Sequence, residues 1–325
     1  MSTETVKAAA IQMEARVADI KGNIAQACDL TQQALRNGAE IVALPEFFTT
    51  SIVLDERLHG CGLPMQNSAV DTLKALAREY GAMIGGSYLE YDDGDVFNTY
   101  VLMTPDGDVH RHRKDLPTMV ENAYYIGGND DGLIELGKRN VGIAVCWETI
   151  RSASVRRLKG QCDLLMCGSH WWSAPDWKLT WPYMRRHAKL NADHMFRAPG
   201  RFARMVGAPL LHAAHSGPLE GRYALTSRLS VKVRTHLVGE TQIVDGQGKI
   251  LVRRMADEGA GVIFADIMLG RIPASEAAPD RFWLENLPAF VRGTWATQNH
   301  AGKAIYARAK RQGKIMPYDE TSNAP

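Results

Sequence analysis

Val141-Gly-Ile-Ala-Val145 is an apolar run that stops on a thiol, Cys146, followed by Trp147 and Glu148. Two other runs stop on a chemically active side chain in the same way. Ile41-Val-Ala-Leu-Pro45 leads into Glu46, and Val109-His-Arg-His-Arg113 leads into Lys114. A short apolar run bounded by turn residues reads as a buried strand. In α/β sheets, ligands are held at the carboxyl ends of strands. Three predicted strand ends therefore present a carboxylate, an ammonium group and a thiol where a ligand is expected.

Working outward, strands alternate with helices. Val6 to Met13 reads as a buried strand. Asp19 to Arg36 reads as an amphipathic helix, with Ile20, Ile24, Ala27, Cys28, Thr31 and Leu35 at helical spacing. A second helix spans about Val70 to Tyr80 and is stopped by Gly81, and a strand covers Met83 to Leu89. Thr99 to Thr104 and Val109 to Arg113 flank Pro105-Asp-Gly-Asp108, a hairpin signal. Leu164 to Cys167 is another strand. A long helix is expected from Trp181 to about His194, with Pro182 tolerated in its first turn. Strands resume at Ala203 to Leu211 and Thr241 to Val244. Asp245-Gly-Gln-Gly248 then turns into Ile250 to Arg253, and Gly261 to Ile267 is the last clear strand. Hairpins mixed with strand–helix alternation predict a mixed α/β protein. From Arg271 the character changes: prolines 273, 279 and 288 precede basic residues Lys303, Arg308, Lys310, Arg311 and Lys314. The chain therefore divides into a domain at 1–270 and an extended arm at 271–325, expected to make a subunit contact and to end disordered near Thr321.

The chain has 325 residues, 45% hydrophobic and 23% charged, with a net charge of +2. That balance fits a soluble globular enzyme and supplies no strong field for nucleic acid or an anionic membrane. No stretch approaches the length of a membrane span, and the opening residues do not read as a signal peptide, so a cytoplasmic location is expected. The five cysteines, 28, 61, 146, 162 and 167, are odd in number in a large chain without an export signal, which argues against a disulfide framework, and they include no Cys-x-x-Cys pair, which argues against a zinc ribbon or thioredoxin-type site. Cys28, Cys61 and Cys162 read as small buried residues. His110 with His112, and His212 with His215, read as structural or surface residues rather than metal ligands. Gly259-Ala-Gly261 is no dinucleotide loop.

A thiol attacks an unsaturated carbon as the thiolate. A carboxylate beside it can take the thiol proton and return one to a leaving nitrogen. An ammonium group can stabilise the charge that develops in the tetrahedral intermediate, and the backbone N–H of Trp147 could add a second donor. Such a set needs no metal and no cofactor. Singly the signals are weak; in this order, on these strand ends, they form a coherent set.

These residues resemble the pattern of the nitrilase superfamily of carbon–nitrogen hydrolases: a Glu after Leu-Pro, a Lys shortly before a Pro at the end of a hairpin strand, and a Cys ending an apolar strand. The resemblance runs from Val6 to about Ile267. It includes the opening Ala10-Ile-Gln-Met13 and the late Ile243-Val-Asp-Gly-Gln-Gly-Lys-Ile-Leu251 hairpin. It implies a four-layer α-β-β-α sandwich with mixed sheets that assembles as a homodimer or higher homo-oligomer. It also implies that Glu46, Lys114 and Cys146 are catalytic and that Glu121 is a fourth member, holding or polarising the substrate or the lysine. The branches most similar are the nitrilases and the aliphatic amidases. Cys146-Trp-Glu148 and the Pro117-Thr118…Glu121 stretch resemble nitrilases, whereas Thr149-Ile-Arg-Ser152 and Gly128-Asn-Asp-Asp-Gly132 depart from them.

Substrate-wall candidates are Phe47, Tyr124, Trp147, His170 and Trp171, with Trp172 beside them. His170 is expected to be a hydrogen-bonded wall residue rather than a second base. The leading expectation is hydrolysis of a small nitrile or amide through a thioimidate or thioester on Cys146, releasing ammonia and a carboxylic acid. An amidase or N-carbamoyl amide hydrolase is the alternative within the class. An acyl or amide-nitrogen transferase, or a catalytically silent binding scaffold, are the alternatives outside it.

Overall fold

The computed structural model describes residues 4–177, 181–281, 287 and 289–321. In chain order the strands and helices are β1 (Glu4–Met13), α1 (Ile20–Arg36), β2 (Ile41–Ala43), β3 (Leu63–Pro64), α2 (Ser68–Tyr80), β4 (Met83–Asp92), β5 (Asp95–Met103), β6 (Val109–Arg113), β7 (Leu133–Leu136), β8 (Arg139–Ile143), α3 (Ser152–Leu158), β9 (Leu164–Ser169), α4 (Trp181–Val206), β10 (Leu210–Ala224), β11 (Ser230–Val244), β12 (Ile250–Met255), β13 (Gly261–Leu269) and α5 (Ala289–Arg311).

The strands form one mixed, hydrogen-bonded system centred on β1. That strand pairs in parallel with β2 and β10 and antiparallel with β13. On one side the order continues β2-β4-β5-β6, and on the other β10-β9-β8-β7, with β11 and β12 extending from β10. β2–β4, β8–β9 and β9–β10 are parallel, so the strands that lead into Glu46 and Cys146 run in register with their neighbours toward one end.

Alternate strand residues feed different interiors, as the two-residue strand period requires. Ala9, Ile11, Val42 and Ile84 pack with Ile20, Ala27 and Leu35 of α1 and with Leu73 and Ala77 of α2. Ala8, Ala10, Ile41 and Ala43, on the opposite faces, pack with Ile143, Leu164, Met166, Leu211 and Ile243. Ala144, Leu165, Cys167, Leu210 and Val244 pack with Val155 and Leu158 of α3 and Phe202, Ala203 and Val206 of α4. A stack of helices, strands, strands and helices has this partition. Local signals act as the sequence predicts. The Asp19 carboxylate caps α1 by accepting from Gly22 N at 3.1 Å. Gly81, at φ 62°, ends α2 in a left-handed conformation open to glycine. No helix among the described residues is long and apolar enough to cross a membrane.

Two expectations are corrected. The helix expected to end near His194 continues to Val206, and the strand expected from Ala203 begins at Leu210. The buried residues Met195, Ala198, Phe202 and Met205 recur at helical spacing through Pro199, and Gly207 (φ 88°) ends the helix. The segment after Arg271, expected as an extended arm, contains α5. Its Ala301, Ile305 and Ala309 recur every four residues and join the interior built on α1 and α2. The Tyr306 hydroxyl accepts from Val96 N at 3.0 Å and donates to Asp95 Oδ1 at 3.1 Å. Tyr318 N still donates to Gly62 O at 2.7 Å. The disorder expected beyond Thr321 lies outside the described residues.

Gly168 of β9 lies against the backbone that leads from β2 into Glu46. A Cβ there would sit 2.4 Å from Glu46 N and 2.7 Å from Pro45 C, both backbone atoms that cannot step aside. Gly168→Ala is expected to destabilise the protein by about 1–3 kcal/mol, the usual range for overpacking, and to displace Glu46. Thermal denaturation checks the first outcome, and an unchanged midpoint would refute it.

Candidate active site

Cys146 opens a 3₁₀ turn, Cys146–Ile150, directly after β8. Its φ is +53°, in the left-handed region. Such a conformation costs a non-glycine residue about 1–3 kcal/mol unless surrounding bonds impose it. Here they do. The Glu148 carboxylate accepts from Val145 N at 2.7 Å, and Thr149 Oγ1 donates to Cys146 O at 2.7 Å. Of six non-glycine residues at positive φ among the described residues, three border this site: Phe47 (53°), Met119 (54°) and Cys146. The turns after the strand ends are thus bent to aim side chains inward.

Glu46, Lys114 and Glu121 are all buried. Lys114 Nζ donates to Glu46 Oε1 at 2.8 Å and to Glu121 Oε2 at 2.8 Å. Glu46 Oε1 also accepts from Asn98 Nδ2 at 2.8 Å, and its Oε2 accepts from the backbone N–H of His170 at 2.9 Å. Glu121 Oε2 accepts from Thr118 N at 2.8 Å and from the Tyr125 hydroxyl. Each carboxylate is therefore held by several donors, as buried charges require.

Burial pushes the Glu46 carboxyl up to about 7, against the attraction of Lys114 and a hydrogen bond from Cys146. Burial, together with the negative charge of Glu46, raises the Cys146 thiol well above its ordinary value, although Lys114 acts the other way. Burial disfavours the Lys114 ammonium, but Glu121 and Glu46 outweigh it and hold the lysine protonated. The resting arrangement is a protonated thiol beside a carboxylate balanced near neutrality and a fixed positive charge. A thiol proton can pass to Glu46, and the ammonium can meet negative charge that develops on the atom attacked.

A second layer fixes the turn that carries Cys146. Glu148 accepts from His112 Nε2 at 2.9 Å, and from Asp115 N at 3.1 Å and Arg157 Nη2 at 3.3 Å. His112 Nδ1 meets Asp130. Burial disfavours the charged imidazole, yet the Glu148 and Asp130 carboxylates raise it to about 10. His112 is thus structural, as expected, but fully buried. On the other flank, Asn299 of α5 accepts from Met119 N and Asn122 Nδ2, each at 2.9 Å, bracing the 3₁₀ turn Met119–Ala123 that carries Glu121.

Cys146 and Glu121 border a cavity with about 1040 Å³ of empty volume, its open mouth included. Trp147, His170 and Trp171 line it, as the sequence suggests, and so does Trp172. Phe47 and Tyr124 do not. The Phe47 ring lies behind the wall, edge-on to Tyr125 at 5.9 Å and to His170 at 5.8 Å. Tyr124 is turned the other way, its hydroxyl donating to Val53 O at 2.9 Å and accepting from Asp55 N at 2.7 Å. The next residue, Tyr125, reaches the site instead, because the 3₁₀ turn rotates the pair. His170 fits a hydrogen-bonded wall residue: Trp172 Nε1 donates to its Nδ1 at 2.9 Å, which leaves Nε2 as the donor, to Ser51 Oγ at 2.7 Å, and burial holds its basicity well below the ordinary imidazole value. Sequence reasoning missed Asn98, His112, Tyr125 and Asn299 as site neighbours. Asn98 and His112 had a signal, each being a polar residue inside a strand run; Asn299 had none.

A family model described as carbon–nitrogen hydrolase matches residues 7–276. An aliphatic nitrilase of Rhodococcus rhodochrous is 25% identical over 299 residues, 86% of this chain and 79% of the relative. An omega-amidase of Xenopus tropicalis is 31% identical over 163 residues, 44% of this chain and 56% of the relative. Among solved structures, an amidase variant from Nesterenkonia sp. superposes with a TM-score of 0.62 at 17% identity, covering 89% of this chain and 97% of the other. It carries the acetamide moiety of fluoroacetamide on its active-site cysteine.

The pairing around His112 has a pH signature. Its value is raised from 6.5 to about 10 in the fold. Its stabilising contribution is therefore complete below about pH 6.5 and is lost as pH rises through about 10. His112→Gln is expected to remove that loss. Denaturation midpoints taken from pH 7 to 10 should fall steeply for the native chain and more shallowly for the variant, and parallel curves would refute the assignment.

Proposed function

The chain belongs to the carbon–nitrogen hydrolase family, and from that membership we propose that it hydrolyses a small nitrile or amide through a covalent intermediate on Cys146. One observation carries the reading: the Cys146 thiol, which borders the cavity, is hydrogen-bonded to the Glu46 carboxylate, and the Lys114 ammonium bonds that carboxylate at 2.8 Å, all three groups buried. Glu46 takes the thiol proton as sulfur adds to the unsaturated carbon. Lys114 stabilises the charge placed on nitrogen or oxygen. Glu121 holds Lys114 in position, and the Trp147 backbone N–H lies at the turn where an oxyanion would form.

With a nitrile, addition gives a thioimidate. Glu46 returns the proton to nitrogen, water adds, and ammonia leaves a thioester. A second water, activated by Glu46, releases the carboxylic acid and restores the thiol. With an amide, ammonia leaves from the first tetrahedral intermediate, and the same thioester follows. The nitrile is the first reading, because the relatives matched along most of this chain include nitrilases. The amide is the second, favoured by higher identity to omega-amidases over about half of it. The same reading includes the domain division near residue 270, with α5 bracing the site, and assembly as a homodimer or larger.

Ammonia release from panels of nitriles and amides tests the reaction and separates the two readings; release from neither panel would sink both. Cys146→Ala is expected to abolish turnover while leaving the melting profile intact, and the native protein should gain the mass of a trapped acyl group on Cys146. The acidic limb of kcat/KM should lie near pH 7, because Glu46 acts in its deprotonated form and is pushed up to about 7. Glu46→Gln is expected to remove that limb and lower kcat/KM by about 10²–10⁴-fold. A limb that survives the substitution would assign the base elsewhere.

A further inference from the structure

Beyond the thiol, the cavity wall has a definite chemistry. Trp171 and Trp172 stand on a segment that runs beside β11 as an added strand. Val238 N donates to Trp171 O at 3.0 Å, Ser173 N to His236 O at 2.8 Å, and Asp176 N to Arg234 O at 3.0 Å. Thr235 Oγ1 closes the ladder on Ser173 O at 2.8 Å. The aromatic wall is therefore a fixed sheet edge rather than a loop that can be reshaped by each ligand. Trp147 meets Trp171 with ring centroids 5.7 Å apart, and Trp177 meets Tyr223 edge-on at 5.3 Å. Leu219 and Val233 of the β10–β11 hairpin, and Val291 of α5, complete the apolar lining.

Several of the polar side chains that reach the cavity already have partners within the protein. Asn191 accepts from Trp171 Nε1 at 2.7 Å and donates to Trp172 O. Gln298 Nε2 donates to Ala224 O at 2.7 Å. Arg222, at the rim, is turned across the hairpin, its Nε donating to Ser230 Oγ at 2.7 Å and its Nη2 to Ser230 O at 2.8 Å. Glu121 is committed to Lys114. Away from Arg222 at the rim, a substrate charge far from the reacting carbon would meet mostly apolar walls, a costly outcome. A two-carbon acyl group on Cys146 would leave Trp177, Leu219, Tyr223 and Val233 of the wall uncovered by substrate.

We propose that this cavity selects nitriles or amides whose carbon chain ends in a neutral aromatic ring, and discriminates against short aliphatic and carboxylate-bearing substrates. The inference rests on Cys146 as the nucleophile at the cavity floor. Burying a ring the size of a phenylalanine side chain favours the aromatic substrate by about 10- to 100-fold.

Purified full-length protein should be assayed for ammonia release with phenylacetonitrile and phenylacetamide, against acetonitrile and acetamide, and against 3-cyanopropanoate and succinamate. The expected result is kcat/KM at least tenfold higher for the phenyl compounds. Leu219→Trp, which fills the cavity, and Trp177→Ala, which opens its wall, should each lower the phenyl-to-methyl ratio at least fivefold, with folding checked by thermal denaturation. Equal or better turnover of the acetyl or carboxylate compounds would overturn the inference and leave the hydrolase reading standing. Should none of the six compounds release ammonia, binding to the Cys146→Ala protein decides. Tenfold tighter binding of phenylacetamide than acetamide, read by tryptophan fluorescence, would keep the cavity assignment and reject the reaction; equal affinity, or no binding, would overturn the cavity assignment as well.

Discussion

The buried ammonium of Lys114, held at 2.8 Å from a carboxylate on each side, is the constraint on which the site depends. None of the three charges is stable there alone, since an ion removed from water costs several kcal/mol unless paired. Two carboxylates on one lysine leave the cluster short of positive charge, and that shortfall, added to burial, brings Glu46 up to neutrality. A base that titrates near neutral pH is thus a product of the cluster's composition rather than of Glu46 alone. The same cluster ties two strand ends and a turn together, because Glu46 follows β2, Lys114 follows β6 and Glu121 sits on the 3₁₀ turn beyond it.

Cys146 enters this cluster only because its turn is bent against its own preference. The carboxylate of Glu148 caps the turn, and the charged pair it forms with His112 keeps that carboxylate from rotating away. The two layers are electrostatically distinct. The inner one is arranged so that a proton can move, with Glu46 near neutrality. The outer one is arranged so that none does, with His112 pushed up to about 10 and Glu148 pushed down by its partners. A site that moves protons needs such a fixed frame around it.

The cavity above the cluster is built from parts remote in sequence: the segment after β9, the long β10–β11 hairpin and α5. α5 lies beyond the matched family region, which ends at residue 276, yet it lends Val291, Thr294 and Gln298 to the lining and braces the Glu121 turn through Asn299. The arm that composition marks as peripheral is therefore part of the site's walls.

Most of the elements and three strand ends were legible in the sequence. Buried strands and amphipathic helices write their period into neighbouring residues, and Pro, Gly and Asp mark where they stop. Glu46 and Cys146 stood out because an ionisable group directly after an apolar run conflicts with its surroundings, and Lys114 because it ends a hairpin strand shortly before a proline. Pattern failed where a boundary depended on distant partners. The continuation of α4 through Pro199 is decided by what its buried face meets, and a helix in the arm is decided by the interior that Ala301, Ile305 and Ala309 enter. The choice between Tyr124 and Tyr125 hangs on the pitch of one 3₁₀ turn, which no local signal records. By itself the sequence determined which chemical groups stand at which strand ends. Only the tertiary structure decided that they share one buried cluster, since the charge balance that tunes Glu46 and the bonds that hold Cys146 at positive φ come from residues far apart along the chain.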